Sequence, residues 1–401
     1  MPSTVALRHQ CLLTIVLGFG MSSRLQFALI TLFAWLTTST CFGQFALLSI
    51  ANTNNGGLAA GIAVSGNNVF LANGTDGLRV YDVSNPTNPI NVFHTNNGQF
   101  AFGVTIDDHY AFLGESGALG VYDVANPSNP VMLTNASTAY SPTFIFITNA
   151  LAYVAAQNQF QIFSVSNPAS PVRLTARTTY GSLGIAASGK YIYVADSQNG
   201  LMIYDDSDLL SPLLVSTSKA NTHAEDNQVV LSGPYAYLAN GPDGLRIYNI
   251  TNAAAPISVG HTNTGLGESI AISGNYVFMG QSSSVVVIDV SNPSNPLVIA
   301  QAPTADLVLG LVVAGDYIYT ATRMAGLMVF RLMPKLQVAT SGASLLLSWP
   351  VTSTPFVLTQ SFDVNAANWT PVTNAPALVG QRKELSLPLS SGNVFYRLQQ
   401  N

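Results

Sequence analysis

Charged side chains are scarce in this chain: Asp, Glu, Lys and Arg make up only 8% of its 401 residues. With 14 basic against 19 acidic residues and a net charge of -5, it has no Lys/Arg cluster able to neutralise a run of phosphates, which argues against nucleic acid as a partner. Hydrophobic residues reach 48%, so the surface falls to Asn, Ser, Thr and Gly, a balance that favours neutral partners over charged ones. Cysteine is nearly absent. Cys11 and Cys41 both fall in the leader described below, so the chain that follows has no disulfide to draw on and must be held by packing. Helical periodicity is missing between residues 45 and 332. So are a nucleophile elbow, His-Glu-x-x-His, a phosphate-binding Gly loop and an Asp-x-Asp-x-Asp calcium loop. A site can also be assembled from residues scattered along a chain, so these gaps weaken the case for an enzyme without closing it.

The N-terminus accounts for part of the apolar excess. Arg24 precedes the run from Phe27 to Leu36, and Cys41-Phe42-Gly43 offers small residues at both key cleavage positions, the pattern of a secretory signal peptide over residues 1–43. Met21 is an alternative start. The apolar run is about half the ~20 residues that a span needs, so no membrane span is expected in the mature chain. Thr38 to Thr40 make a poor lipobox before Cys41. The expected location is secreted, cell-surface or periplasmic.

What is present is a repeat. One unit reads Val69-Phe70-Leu71-Ala72, then Gly77-Leu78-Arg79-Val80-Tyr81-Asp82-Val83, then Ser84-Asn85-Pro86. Anchoring on its aromatic gives Phe70, Phe112, Tyr153, Tyr193, Tyr237, Phe278 and Tyr319, with successive spacings of 42, 41, 40, 44, 41 and 41. Seven copies of about 40 residues, each with several short strands, fit four-stranded blades. Leu78 and Val80 share one strand face while Tyr81 and Val83 occupy the other, so both faces are apolar, as in a blade sandwiched between neighbours. Asn-Pro pairs at 85, 126, 167 and 292 end the third strand, because proline fixes φ and removes a donor. Asp82, Asp123, Asp205 and Asp289 recur at that strand end, where the carboxylate is expected to cap the turn. The seventh copy stops at Phe330-Arg331-Leu332 without its turn or fourth strand. The segment Phe45 to Ile50 is expected to supply that strand, closing the ring and removing unpaired sheet edges. The resulting expectation is all-β: a seven-bladed β-propeller over residues 44–334, closed by its N-terminal strand, followed by a small β-sandwich-like module over residues 335–401.

At these residues the chain resembles the LVIVD-repeat propellers of extracellular bacterial proteins, named for the strand that reads here Val286-Val287-Ile288-Asp289-Val290. Ser164, Asn249 and Arg331 depart from the Asp at the strand end, and copy four replaces the turn with Asp206-Ser207-Asp208. The resemblance implies a surface or secreted binding role without a common active site. After Pro334, the Leu347-Ser348-Trp349-Pro350 start and the Phe395-Tyr396-Arg397-Leu398 finish look like a fibronectin-III-like tail domain. Trp349 and Trp369 read as core residues rather than sugar platforms.

Propellers bind at one end of their central channel, on inter-blade loops and the turns between second and third strands. The inter-blade loops carry His94, His223, Glu225, Asp226, His261 and Glu268, and the turns carry Asp76, Glu115, Asp196, Asp243 and Arg323. The densest group, His223-Ala224-Glu225-Asp226, sits in the one interval stretched to 44 residues. His94 and His261 occupy equivalent places, which reads as repeat inheritance. The leading expectation is a monomeric, non-catalytic scaffold that binds a protein or neutral glycan through His94, His223, Glu225, Asp226, His261, Glu268 and Arg323, with no catalytic or metal residue and no cofactor. The alternative is a metal-dependent, lactonase-like hydrolase holding a divalent cation at the channel mouth with His223, Glu225 and Asp226.

Overall fold

The computed structural model describes residues 45–53, 56–95, 98–219, 226–351, 355–366, 368–380, 382–389 and 394–400. The expected signal peptide, His223 and Glu225 lie outside them. Among the described residues the chain is all-β, without a helix long and apolar enough to cross a membrane. Two compact units emerge, one over Leu47–Arg331 and a second that includes residues 332–400.

In the larger unit each repeat becomes an antiparallel sheet, and the sheets share one internal order. The first runs Gly61–Ser65, Asn68–Ala72, Leu78–Asp82 and Ile90–His94, each strand beside the next. Four-residue turns join the first two strands. Gly66 there has φ 56°, and Asp108 takes the matching place in the second sheet at φ 52°, the left-handed geometry that a tight hairpin demands and that Gly and Asp tolerate. The last sheet departs from chain order. Its strands are Val308–Ala314, Tyr317–Thr322 and Gly326–Pro334, and the N-terminal strand Phe45–Thr53 lies beside the last of these, with the Thr53 hydroxyl donating to the Leu327 carbonyl at 3.3 Å.

Two strands run longer than the repeat predicts. Leu151–Ser164 folds back on itself around Gln157, at φ 44°, and the Val165 amide returns to the Ala150 carbonyl at 2.8 Å. Val172–Ser188 then passes without interruption from the outer edge of this sheet to the inner edge of the next. Two repeats are thereby joined into one six-stranded sheet, so the unit contains six sheets.

The first strand of every repeat lies innermost and touches its counterparts. Gly61–Ser65 contacts Ala101–Asp107 on one side and Val308–Ala314 on the other. Register explains how backbones come so near: the same position is glycine in four repeats, Gly61, Gly103, Gly184 and Gly310. A Cβ on Gly103 would stand 2.6 Å from the Thr143 carbonyl oxygen, and one on Gly310 would stand 3.1 Å from that of Ala60. Polar side chains bridge where glycine is missing. Gln228 Oε1 accepts from the Ile270 amide at 3.0 Å, and the Ser269 hydroxyl donates to the Val308 carbonyl at 2.9 Å.

Packing between sheets follows the two-faced strand pattern. Leu78 and Val80 pack with Ala111, Leu113 and Tyr122 of the following sheet. Tyr81 and Val83, on the other face, pack with Tyr319, Leu327 and Val329 of the last. Burying a side chain of this size contributes roughly 1.5–3 kcal/mol, and each sheet does so on both faces, which offsets the lack of cysteine among the described residues.

The smaller unit holds a four-stranded sheet, with Gln337–Ser341, Ser344–Pro350, Arg382–Pro388 and Ala377–Val379 in that order, and a three-stranded one around Phe356–Ser361. Trp349, 2% exposed, packs there with Leu347, Leu358, Leu385 and Leu387. Trp369 is half-buried beneath the Arg397 guanidinium, 4.4 Å from its ring centre.

Candidate functional site

Two chain ends of each sheet carry polar chemistry, and the structure assigns them different work. At the turn before the outer strand, Asp82 Oδ1 accepts from the Ser84 amide at 2.8 Å and Asn85 Oδ1 from the Thr87 amide at 3.2 Å. The same tandem recurs at Asp123 and Asn126, and at Asp289 and Asn292. Copy four keeps it despite its altered sequence. Asp205 accepts from Ser207 and Asp208 from Leu210, because an Asp oxygen serves this turn as well as an Asn oxygen. These bonds hold the Asp82 carboxyl below its ordinary range. Asp205 drops to about 2, chiefly because Lys190 donates to it at 2.7 Å. The recurrent Asp is therefore structural.

At the opposite end, the residue at or just past the end of the second strand is polar in six repeats, Asn73, Glu115, Asp196, Asn240, Gln281 and Thr322, and the matching position within the long strand Leu151–Ser164 is Ala156. All six are at most 5% exposed. Asp196 accepts from the amides of Tyr180, Gln198 and Asn199 and from the Asn199 side chain, at 2.8–3.1 Å. The Gln281 amide group donates to Thr264. Asn73 donates to Asp76 Oδ2 at 3.0 Å, and Asn240 donates to Asp243 Oδ2 at 3.2 Å. Asn73 and Asn240 thus brace the strand turn itself, while Asp196 and Gln281 fasten it to the segment entering the same repeat. Residue type at one position along the repeat was the available signal, and only register reveals that the position is buried.

The expected site residues are dispersed over this end. His94 ends an outer strand opposite Arg79, exposed, and His261 occupies the matching place opposite Arg246. Both thus lie on sheet strands, at the edge away from the inner strands. His261 Nε2 stands 2.9 Å from Asp243 Oδ1, whose other oxygen is held by Arg246. Asp76 and Arg79 repeat that pair in the first sheet. Arg323 pairs with Asp306 at 2.9 Å, which holds the Asp306 carboxyl below its usual value. Glu268 is half-buried at a bulge in the inner strand Gly267–Ser273, and Asp226 opens the strand Asp226–Ser232 opposite Asn240. Among the described residues, no group of three or more His, Cys, Asp or Glu could hold a metal ion.

Between the inner strands lies a cavity of about 310 Å³. Its wall consists of residues 60–64, 103–106, 143–145 and 309–312, with Gln228 and Ile270. None of these side chains is ionisable.

Comparison with known proteins rests on the repeats and on the fold. No curated protein matches the chain. Among solved structures, that of a mitotic checkpoint complex aligns with a TM-score of 0.58 at 13% identity, covering 73% of this chain and 94% of that one. The computationally designed Ika8 protein aligns with a TM-score of 0.52 at 11% identity, over 72% of this chain and the whole of that one. At such identities the likeness concerns the fold alone, a propeller-like arrangement of antiparallel sheets. The model of the LVIVD repeat matches residues 56–97, 100–138, 145–178, 182–219, 225–264 and 265–304. Since those segments make up more than half of its length, the chain belongs to the LVIVD repeat family.

Proposed function

We propose that the larger unit is a closed seven-bladed propeller and that the chain is a non-catalytic binding scaffold outside the cytoplasm, holding a protein or neutral glycan on its loop end. Closure is supported by the strand Phe45–Thr53 beside Gly326–Pro334, and by inner strands of the first and last repeats in contact. The continuous strand Val172–Ser188 supports seven blades in six sheets, since its two halves serve successive repeats.

One observation carries the binding reading: among the described residues, the loop-end carboxylates of Asp76, Asp243 and Asp306 are all paired inside the chain. Asp76 is tied to Arg79, Asp243 to Arg246 and His261, and Asp306 to Arg323. A surface whose charges are paired in place offers neutral hydrogen-bonding groups to a partner and no spare carboxylate set for acid–base work. The small unit, read as a fibronectin-III-like tail, would add adhesion to the same role.

A glycan and protein array probed with the mature chain tests the reading, alongside elemental analysis of the purified protein. Selective capture by neutral glycans or by a protein, with no stoichiometric metal, is the expected result. One tightly held divalent ion per chain together with esterase or lactonase turnover would overturn it in favour of a hydrolase.

A further inference from the structure

We propose that the turn end of the repeats docks a basic, partly apolar segment of a partner polypeptide, with one lysine ammonium seated on Asp289 beside the Tyr276 ring. This surface lies at the end opposite the loops, so the proposal stands apart from loop-end binding and does not depend on it.

Strand register builds the surface. Asp289 pairs with Tyr276 on one side and with Leu297 on the other, so the three side chains stand in one row across the sheet. The same row reads Tyr110, Asp123 and Val131 in the second repeat, and Tyr191, Asp205 and Leu213 in the fourth. The fourth repeat shows what such a row accepts. Its own Lys190 donates to Asp205 Oδ2 at 2.7 Å and lies 5.1 Å from the Tyr191 ring centre, which joins an ion pair to attraction by the ring face. In the seventh repeat Arg331 takes the Asp position itself and stands 5.5 Å from the Tyr317 ring centre. Asn275 holds the place of Lys190 in the sixth repeat: its carbonyl accepts from the Val290 amide as that of Lys190 does from the Asp206 amide. The Tyr276 and Asp289 pair is therefore kept, and Asp289 has no ion pair among the described residues.

Two features around the row fix the chemistry of the partner. The residue opening the outer strand is aliphatic in six repeats, and Leu297 and Ile257 are 55% and 64% exposed. Asp107, Asp108 and Asp316 join the recurrent Asp residues, so among the described residues carboxylates outnumber Lys and Arg at this end. A segment carrying both basic and aliphatic side chains complements the two features together, whereas an acidic one is repelled.

The test uses the full mature chain and three dye-labelled peptides of one length: alternating Lys and Leu, alternating Glu and Leu, and alternating Lys and Ser. Fluorescence anisotropy should show the Lys-Leu peptide bound, and more weakly as salt rises from about 50 to about 500 mM. The Glu-Leu peptide should bind at least about tenfold more weakly, since repulsion replaces attraction, and the Lys-Ser peptide should also lose affinity. Asp289→Asn removes the charge and keeps the turn, because Asn249 caps the matching turn of the fifth repeat. It should weaken the Lys-Leu peptide about threefold, the scale of an exposed ion pair. Asn275→Lys should weaken it likewise, by seating the chain's own ammonium on Asp289 as Lys190 sits on Asp205. Lys190→Asn should act the other way, opening a second place and raising the amount of peptide bound. Met324→Ser, at an exposed loop-end position, should change nothing. Thermal melts identify any variant that fails to fold. No binding of the Lys-Leu peptide, equal binding of the Glu-Leu peptide, or binding unchanged in folded Asp289→Asn or Asn275→Lys would overturn the inference.

Discussion

Gly61 approaches Gly103 so closely that a Cβ built on Gly61 would stand 2.6 Å from the Gly103 Cα. The first and second inner strands thus meet through bare backbone. Gly61→Ala forces them apart, and overpacking of this kind costs about 1–3 kcal/mol. The urea midpoint should fall accordingly with the slope unchanged, and a midpoint equal to wild type would mean that the strands part without cost.

Removing residues 45–53 leaves the strand Gly326–Pro334 as an open edge. If that N-terminal strand completes the last blade, the truncated chain should melt at least about 5 °C lower, since a loss of 1 kcal/mol shifts a domain of this size by roughly 2–4 °C. It should also become prone to association through the bared edge. An unaltered melt excludes the closure.

Asp206 sits 7% exposed at a position where other repeats carry Val83, Val124 or Val290, and Tyr153 of the preceding repeat donates its hydroxyl to Asp206 Oδ2 at 2.7 Å. Burial, reinforced by that bond, pushes the Tyr153 phenol well above its ordinary value. Tyr153→Phe strands a buried carboxylate oxygen and should cost about 1–3 kcal/mol. Tyr153→Phe combined with Asp206→Val removes both partners and should recover most of that loss. A double-mutant cycle in urea reads the coupling, and additive losses would show that the pair is not an energetic unit.

Lys190 and Asp205 supply a pH signature. Lys190 holds the Asp205 carboxyl down at about 2, so the folded state binds its proton later than the unfolded chain, whose Asp titrates near ~3.9. A depressed folded pKa stabilises above the unfolded value, and the contribution disappears as pH falls from about 4 through 2. Lys190→Gln should therefore melt slightly below wild type at pH 6, with the gap closing by pH 2. A gap that persists at pH 2 would assign the effect to something other than this pair.

The repeat made much of this legible beforehand. Alternation at Leu78, Val80, Tyr81 and Val83 announces two buried faces, and the Asp-x-Ser-Asn spacing announces a capped turn, because both depend on neighbours within a few residues. The long strand Leu151–Ser164 escapes such reading. Its reversal at Gln157-Asn158 uses neither Gly nor Pro, and the chain extends on both sides without a break. Site residues were harder still. His261 and Asp243 lie 18 residues apart, and only the pairing of Arg246 with His261 across two strands brings them together. In linear order they read as free turn charges, and the buried row from Asn73 to Thr322 reads as ordinary loop polarity.

The unbroken strand Val172–Ser188 also changes how the protein comes apart. Between the second and third repeats an irregular segment separates the outer strand ending at Ser137 from the inner strand starting at Phe144, and a protease or a thermal fluctuation can act there on one repeat at a time. Between the third and fourth repeats the crossing backbone is itself hydrogen-bonded into both, so loosening either one pulls on the other. That pair should therefore open as a single unit, with its amides exchanging together.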